Sequence, residues 1–143
     1  MRRQETQERR PIVFYVDDNL KSIRLLTAIL QDCGFDVITA NDPIEALALC
    51  NNYCFDLALV DYEMPIMSGA RLVEELKLLV PDLPVVLLSG QKDIPKSDLV
   101  FVDGHFGPHT TLDDLLDKLR DLVKARSAAP ANPQSMTSWS EAT

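Results

Sequence analysis

Short apolar runs alternate along the chain with longer segments whose apolar residues recur at helical spacing. Five runs are rich in β-branched and aromatic residues, as buried strands are: PIVFYVDD, DVITAN, FDLALVD, PVVLLSG and LVFVDGHF. Helices are predicted over LKSIRLLTAILQDCGF, DPIEALALCNN, GARLVEELKLLV and TTLDDLLDKLRDLVKAR. The interval QKDIPKSD has only a weak helical pattern, so a fourth helix there is expected to be short or degenerate.

This alternation of strand and helix predicts a parallel sheet with helices on both faces. Right-handed crossovers make such a sheet doubly wound. Ligands of doubly wound sheets bind at the carboxyl ends of the strands. The residues that follow each predicted strand are therefore the first candidates for a functional site.

Composition narrows the class of protein. The chain has 143 residues, 46% of them hydrophobic and 25% charged, which suits one globular domain. Its net charge of −8 argues against direct binding of nucleic acid or of an anionic membrane surface. No apolar stretch approaches the ~18 residues that a membrane span needs, and the first ten residues lack the apolar core of a signal peptide. An odd number of cysteines then favours reduced thiols and a cytoplasmic location.

Three parts of the chain differ in composition. Residues 11–126 contain every predicted strand and helix and form the predicted domain. Residues 1–10 are predicted to be a flexible arm. Residues 127–143 are rich in Ser, Ala, Pro and Thr and are predicted to be disordered, with Trp139 as their one large apolar side chain. A partner-docking peptide is the alternative interpretation of this tail.

Carboxylates follow two of the predicted strands. Asp17 and Asp18 end the first strand, Asp61 ends the third with Glu63 just beyond it, and Ser89 ends the fourth. Two carboxylates ~4 Å apart repel by roughly 4 kcal/mol at an effective dielectric constant near 20, so they must share a proton or hold a cation. Mg²⁺ suits such oxygen ligands. A carboxylate such as Asp61 could then attack a phosphoryl group, and Ser89 could donate a hydrogen bond to it.

These motifs resemble those of the receiver domain of two-component response regulators, over residues 11–126. The matching segments are Val16-Asp17-Asp18-Asn19, the run DYEMPIMSG that begins at Asp61, and Leu87-Leu88-Ser89-Gly90. The resemblance implies an α/β fold of the flavodoxin-like (βα)5 type, with strand order 2-1-3-4-5. It also implies a stand-alone receiver, since the chain has no room for a separate output domain.

The resemblance implies a role for each residue at the strand ends. Asp61 would be the phosphoacceptor, and Ser89 would stand at the switch hydroxyl position. Asp18 would bind Mg²⁺ directly, with Asp61 and the backbone carbonyl of Glu63 as further ligands. Asp17 would act on the ion mainly through water.

The implied partners are a histidine kinase or a histidine phosphotransfer protein. The domain would signal through protein–protein contacts and would not be an enzyme beyond self-catalysed phosphotransfer and autodephosphorylation. The face formed by the fourth helix, the fifth strand and the last helix is a candidate surface for a homodimer. No contact with nucleic acid or with a membrane is expected.

The end of the fifth strand departs from the family pattern. In an ungapped alignment Pro108 occupies the position of the usual lysine, and His109 the position of the following proline. No lysine lies between Lys96 and Lys118, so a shift of register does not recover one. His109 could contribute a cation when protonated. His105 stands at the position of the usual switch aromatic residue.

Two other function classes remain as alternatives. The missing lysine favours a degenerate receiver that acts as a phosphorylation-independent interaction module. A phosphatase of the haloacid dehalogenase type also uses an aspartate nucleophile after a first strand. That family separates its two aspartates by one residue, whereas Asp17 and Asp18 are adjacent, and no catalytic lysine is evident downstream.

Overall fold

Strands and helices alternate along residues 9–128, the part of the chain that this computed structural model describes. The strands are β1 (Ile12–Val16), β2 (Asp36–Ala40), β3 (Leu57–Asp61), β4 (Val85–Leu88) and β5 (Gly104–Phe106). The helices are α1 (Leu20–Asp32), α2 (Pro43–Cys50), α3 (Gly69–Leu79) and α4 (Leu112–Ala128), with a 3-10 helix (Lys96–Leu99) between β4 and β5.

The five strands form one parallel sheet in the order β2-β1-β3-β4-β5. The predicted flavodoxin-like order is therefore confirmed. In the central pair, Val16 of β1 lies opposite Val60 of β3. Asp17 and Asp61, the residues that follow these two valines, therefore lie side by side at the carboxyl edge of the sheet.

The sheet separates two apolar layers. On one face, α2 and α3 pack against alternate strand residues such as Phe14, Val60 and Leu87. On the other face, α1 and α4 pack against Tyr15, Leu59 and their neighbours. Because both faces are covered, the central strands are apolar at nearly every position, which is the pattern that predicted them.

Polar side chains cap the first turn of each α-helix, and a glycine follows the end of α1. Asn19, Asp42 and Ser68 each accept a hydrogen bond from a backbone N–H in the first turn of α1, α2 and α3. Thr111 does the same for α4. Gly34 follows α1 with φ of 101°, a conformation that favours glycine. Local sequence thus determines where these helices begin and where α1 ends.

The region between β4 and β5 corrects the predicted fifth strand. The predicted fourth helix is indeed short, a 3-10 helix of four residues. The strand predicted over 99–106 is only Gly104–Phe106, and the apolar residues Val100 and Phe101 are 67% and 51% exposed. Asp103 explains where the strand begins: its carboxylate accepts hydrogen bonds from Lys77 and from the backbone N–H of Val85, at 3.0 and 2.8 Å. Strand pairing of β5 with β4 begins at Gly104, directly after this anchor.

Arg9 and Arg10, the last two residues of the predicted arm, contact the domain. Arg9 pairs with Asp56 at 3.1 Å, and Arg10 donates to the backbone carbonyl of Phe35 at 2.8 Å. The predictions for residues 1–8 and for 129–143, including Trp139, lie outside the described residues. Within residues 9–128, no helix has the length and apolar character of a membrane span.

Candidate functional site

Three carboxylates meet at the carboxyl edge of the sheet. Asp17 and Asp18 follow β1, and Asp61 is the last residue of β3. Each offers a carboxylate oxygen, and these oxygens all lie within 4.8 Å of one another. The pairing of Val16 with Val60 brings them together, because the next residues of both strands emerge at the same level. The convergence predicted from the strand ends is therefore present.

Asp17 is held in place by two donors. The Tyr15 hydroxyl donates to one carboxylate oxygen at 2.8 Å, and the backbone N–H of Asn19 donates to the other at 2.9 Å. Burial raises the pKa of Tyr15 strongly, and its hydrogen bond to Asp17 adds to the shift, so the phenol stays protonated and keeps donating. Asp17 itself is only 7% exposed. With both oxygens engaged, this carboxylate is suited to act through water.

Asp61 is the half-buried member of the cluster. Burial raises the pKa of Asp61 to about 7, and the negative charges of Asp17, Asp18 and Glu63 contribute to the increase. A hydrogen bond from the backbone N–H of Glu63, at 3.4 Å, opposes it only in part. The site is thus short of positive charge. Its ligands are hard oxygen atoms, so the residues present fit a divalent cation such as Mg²⁺.

Ser89 stands beside Asp61 on the neighbouring strand end and is only 9% exposed. Its backbone N–H donates to the carbonyl of Phe106 at 3.0 Å, which ties the end of β4 to β5. Its hydroxyl oxygen accepts from the backbone N–H of Gln91 at 2.8 Å. The side chain of Glu63 points to the same loop and accepts from the backbone N–H of Gly90 at 3.3 Å.

Asp61 and Ser89 share a cavity of about 370 Å³. Its other lining residues come from the ends of β4 and β5 and from the start of α4: Leu88, Gly90, Phe106, Gly107, Thr110, Thr111, Leu112 and Leu115. The phosphoacceptor and switch positions that the sequence indicated thus open on one space.

The loop after β3 packs closely against the acceptor strand. The backbone N–H of Gly69 donates to the carbonyl of Tyr62 at 2.8 Å. A Cβ atom at position 69 would overlap the carbonyl oxygen of Asp61 and would lie 2.7 Å from the Cα of Tyr62. Only glycine therefore fits at position 69 without a shift of the backbone around Asp61.

No lysine or arginine lines this cavity among residues 9–128. Pro108 and His109, which align with the family's lysine and proline, are exposed and are not lining residues. The structure does not bring His109 to the carboxylates, so the cation that the sequence suggested for it is not at the site. Thr110 and Thr111 line the cavity in this region instead.

His105 lies in β5 opposite Leu87 of β4 and is half-buried. Its Nε2 atom is fully buried and has no hydrogen-bond partner among the described residues. The residue at the switch aromatic position thus points a polar atom into an apolar layer.

Two hydrogen bonds of the site were not predicted. The hydrogen bond from Tyr15 to Asp17 could have been inferred from strand alternation, because residues two apart in a strand point to the same face. Tyr62 donates its hydroxyl to Asp98 of the 3-10 helix at 2.6 Å, which ties the residue after Asp61 to the segment between β4 and β5. The second contact has no local signal, since its partners are 36 residues apart.

A family model described as the response regulator receiver domain matches residues 13–107. The autoinducer 1 sensor kinase/phosphatase LuxN of Vibrio campbellii is 30% identical over 123 residues, which are 85% of this chain and 14% of that protein. The two-component response regulator ARR10 of Arabidopsis thaliana is 41% identical over 83 residues, 57% of this chain and 15% of that protein. The chain therefore spans only a small fraction of the length of these relatives.

Solved structures of similar fold cover most of the chain. The chemotaxis protein CheY4 of Vibrio cholerae aligns with a TM-score of 0.73 and 28% identity, over 80% of this chain and 99% of that one. The response regulator protein TrrA of Thermotoga maritima, in complex with Mg²⁺-BeF, aligns with a TM-score of 0.74 and 26% identity, over 78% and 98%.

Proposed function

The chain belongs to the response regulator receiver family, and on that premise we propose that it accepts a phosphoryl group on Asp61. The donor would be a phosphohistidine of a histidine kinase or of a histidine phosphotransfer protein. The convergence of Asp17, Asp18 and Asp61 within 4.8 Å is the observation that carries this proposal. A cluster of this kind, at the carboxyl edge of the sheet and beside a cavity, suits a bound cation and an anionic group better than a solvated loop.

The proposed step is an in-line displacement at phosphorus. A carboxylate oxygen of Asp61 forms a bond to the phosphorus atom as the P–N bond of the phosphohistidine breaks. The leaving imidazole retains the electron pair of that bond and takes a proton from solvent. Asp61 becomes an acyl phosphate. Water later hydrolyses it, which returns the carboxylate and releases inorganic phosphate.

Asp18, Asp61 and the backbone carbonyl of Glu63 are the groups proposed to hold Mg²⁺ directly, with Asp17 acting through water. The ion, when bound, would offset the negative charge that the carboxylates share with the incoming phosphoryl group. The fixed orientation of Asp17, held by Tyr15 and by the backbone of Asn19, supports the water-mediated role.

Ser89 is proposed to contact the phosphoryl group. It is buried at the wall of the cavity that Asp61 also lines. Its hydroxyl oxygen lies 3.4 Å from the carbonyl oxygen of Gln91, a long hydrogen bond that the hydroxyl can exchange for a charged acceptor.

The output is proposed to be protein–protein contact. Exposed apolar side chains around the 3-10 helix, among them Val100 and Phe101, offer a surface for it. A homodimer through the face near β5 and α4 remains part of the proposal, as does a cytoplasmic location, which the three free thiols suit.

A second candidate function is a phosphorylation-independent interaction module. The absence of any lysine or arginine from the cavity lining, among residues 9–128, favours it. A phosphoryl group there would lack the ammonium that pairs with it elsewhere in the family. The retained carboxylate cluster favours phosphorylation, because an interaction module gains nothing from three repelling charges.

Intact mass spectrometry separates the two functions. The full chain is incubated with acetyl phosphate and Mg²⁺ and weighed. We expect the mass of one added phosphoryl group, and none when Mg²⁺ is chelated. Asp61→Asn should gain nothing, whereas Asp32→Asn, which changes an exposed carboxylate at the end of α1, should behave as wild type. A wild-type chain that gains no mass would support the interaction module.

A further inference from the structure

A phosphoryl group on Asp61, as proposed above, would extend into the adjoining cavity and would be stabilised by a hydrogen-bond donor on the opposite wall. Asp61 and Ser89 contribute one part of its lining, and the residues between β5 and α4 contribute the other. In this second part the lining residues with polar side chains are Thr110 and Thr111. Pro108 and His109 lie in the same turn but outside the lining. A threonine hydroxyl is therefore the polar side-chain group that the turn offers.

Thr110 is anchored by its own turn. Its Oγ1 accepts from the backbone N–H of Gly107 at 3.2 Å, and its backbone N–H donates to the carbonyl of Gly107 at 3.2 Å. The turn is closed by both bonds, so the hydroxyl oxygen has a fixed position. No acceptor among residues 9–128 takes the hydroxyl hydrogen. Thr110 therefore holds an available donor at the wall of the cavity.

The loops that carry Ser89 and Thr110 are joined to each other. The backbone N–H of Ser89 donates to the carbonyl of Phe106, one residue before the turn, at 3.0 Å. A Cβ atom on Gly107 would lie 3.6 Å from the carbonyl oxygen of Gln91, which places the two loops in contact. Two hydroxyl groups thus stand on adjoining loops around one space.

The hydroxyl groups of Thr111 and Thr110 make different hydrogen bonds. Its Oγ1 accepts from the backbone N–H of Asp114 at 3.1 Å and so caps α4. Thr111 is also exposed, whereas Thr110 is half-buried. The capping threonine therefore places the start of the helix, and Thr110 is the better candidate for contact with a ligand.

We propose that Thr110 donates its hydroxyl hydrogen to an oxygen of the phosphoryl group on Asp61, in place of the absent lysine. This inference rests on the proposed function, since it requires the phosphoryl group. A hydrogen bond to a charged group has an effect of about tenfold or more on binding. A neutral hydroxyl cannot supply the charge of an ammonium, so the contact replaces its geometry and only part of its electrostatic effect.

The test compares four full-length variants with wild type. Thr110→Val removes the hydroxyl at nearly constant shape, and Thr110→Ser retains it. His109→Ala is the matched control in the same turn. The double variant Thr110→Val with Pro108→Lys restores a donor at the position where the family has its lysine. Two quantities are measured with Mg²⁺ present: the rate of phosphoryl uptake from acetyl phosphate by intact mass, and the affinity for beryllofluoride by fluorescence or calorimetry.

We expect Thr110→Val to lower both the rate and the beryllofluoride affinity about tenfold. Thr110→Ser and His109→Ala should match wild type, and the double variant should recover most of the loss. Valine also loses the hydrogen bond from the Gly107 backbone, so a somewhat lower melting temperature is expected for Thr110→Val under either role. A merely structural role predicts no recovery of uptake rate and beryllofluoride affinity on adding the lysine, and that result would overturn the inference.

The failures of the two proposals are distinguishable. If wild type gains a phosphoryl group on Asp61 and Thr110→Val matches it in both measurements, this inference is wrong and the proposed function stands. If wild type neither gains mass nor binds beryllofluoride, the proposed function is wrong and this inference is overturned with it.

Discussion

Single residues at the site are constrained by the space around Asp61. Gly69 is the clearest case, because a Cβ atom there would overlap the Asp61 carbonyl and approach the Cα of Tyr62 to 2.7 Å. Both neighbours are backbone and cannot move aside without shifting β3. The requirement for glycine is therefore steric and independent of the backbone angle.

We expect Gly69→Ala to lower the free energy of unfolding by about 2–3 kcal/mol, because it forces backbone atoms apart at a buried position. Gly90→Ala is the control: its added Cβ would meet Glu63 at 3.7 Å, an ordinary contact. Urea denaturation measures both. Equal stability of the two variants would show that the loop after β3 accommodates a side chain at position 69.

His105 places a buried, unpaired Nε2 atom against the layer that contains Leu87. A phenylalanine at this position has no polar atom to bury. We expect His105→Phe to raise the free energy of unfolding by about 1 kcal/mol, because an unsatisfied buried nitrogen costs stability. Thermal denaturation measures it, with His109→Ala as an exposed control expected to stay within about 0.5 kcal/mol of wild type. A destabilised Phe variant would mean that the imidazole is satisfied in solution.

At the scale of elements, Asp56 joins the start of β1 to the segment before β3. Its carboxylate accepts from Arg9 at 3.1 Å and from the backbone N–H of Ile12 at 2.7 Å. Burial alone would raise the pKa of Asp56, but these hydrogen bonds outweigh burial and hold it below its ordinary value of 3.8. Asp56 thus stabilises the folded state when it is ionised.

This shift sets a pH window. The contribution of Asp56 is present above its ordinary pKa of 3.8 and is lost as the pH falls through the lower value of the folded state. We expect Asp56→Asn to be less stable than wild type by about 1 kcal/mol at pH 7, with the difference shrinking below about pH 4. Urea denaturation of both proteins at pH 7 and below about pH 4 measures this difference in stability. A difference that is constant with pH would contradict the role assigned to the ionised carboxylate.

The segment between β4 and β5 departs most from the regular alternation of strand and helix. A four-residue 3-10 helix replaces the fourth helix, and β5 has only three residues. The residue after Asp61 is tied to this segment by the hydrogen bond from Tyr62 to Asp98 at 2.6 Å. We expect the acceptor chemistry to operate with only a weak response along β5 and α4, since no lysine lines the cavity there within residues 9–128.

Nuclear magnetic resonance spectra of the full chain with Mg²⁺ and beryllofluoride test this expectation. The largest shifts should fall at the ends of β3 and β4, with smaller ones across Gly104–Phe106 and Leu112–Ala128. A large change across β5 and α4 would show that the response does not depend on a lysine.

The limits of prediction also appear at the scale of elements. Apolar runs predicted the first four strands well, because a sheet covered on both faces leaves few polar positions to blur them. The same rule failed for residues 99–103, where Val100 and Phe101 are apolar yet exposed. Their place depends on Asp103, whose contacts with Lys77 and Val85 come from distant parts of the chain. Local periodicity contains no information about such contacts.

One part of the candidate site could be predicted from the sequence, and another part could not. The meeting of Asp17, Asp18 and Asp61 followed from strand ends alone, because parallel strands end at one edge. The position of Thr110 at the cavity wall could not be predicted, because it depends on how the turn after β5 closes. Alignment with a family motif does not show which side chain of such a turn lines the cavity.

At the scale of the whole molecule, one small α/β domain concentrates negative charge at a single edge of its sheet. Burial and the acidic neighbours raise the pKa of Asp61 to about 7, because no positive charge within residues 9–128 offsets them at that edge. A bound divalent cation would offset the repulsion among these carboxylates and would allow an anionic phosphoryl group to approach Asp61. Among the described residues, Asp17, Asp18 and Asp61 are the one group of three metal-ligating side chains close enough together to hold a metal ion.

The most direct measurement is the location of the phosphoryl group. The full chain is treated with acetyl phosphate and Mg²⁺, the acyl phosphate is reduced with borohydride, and proteolytic fragments are sequenced by mass spectrometry. Reduction converts a phosphorylated aspartate to homoserine. We expect homoserine at position 61 and unchanged aspartate at positions 17 and 18. Homoserine at another position, or at none, would contradict the assignment of Asp61 as the phosphoacceptor.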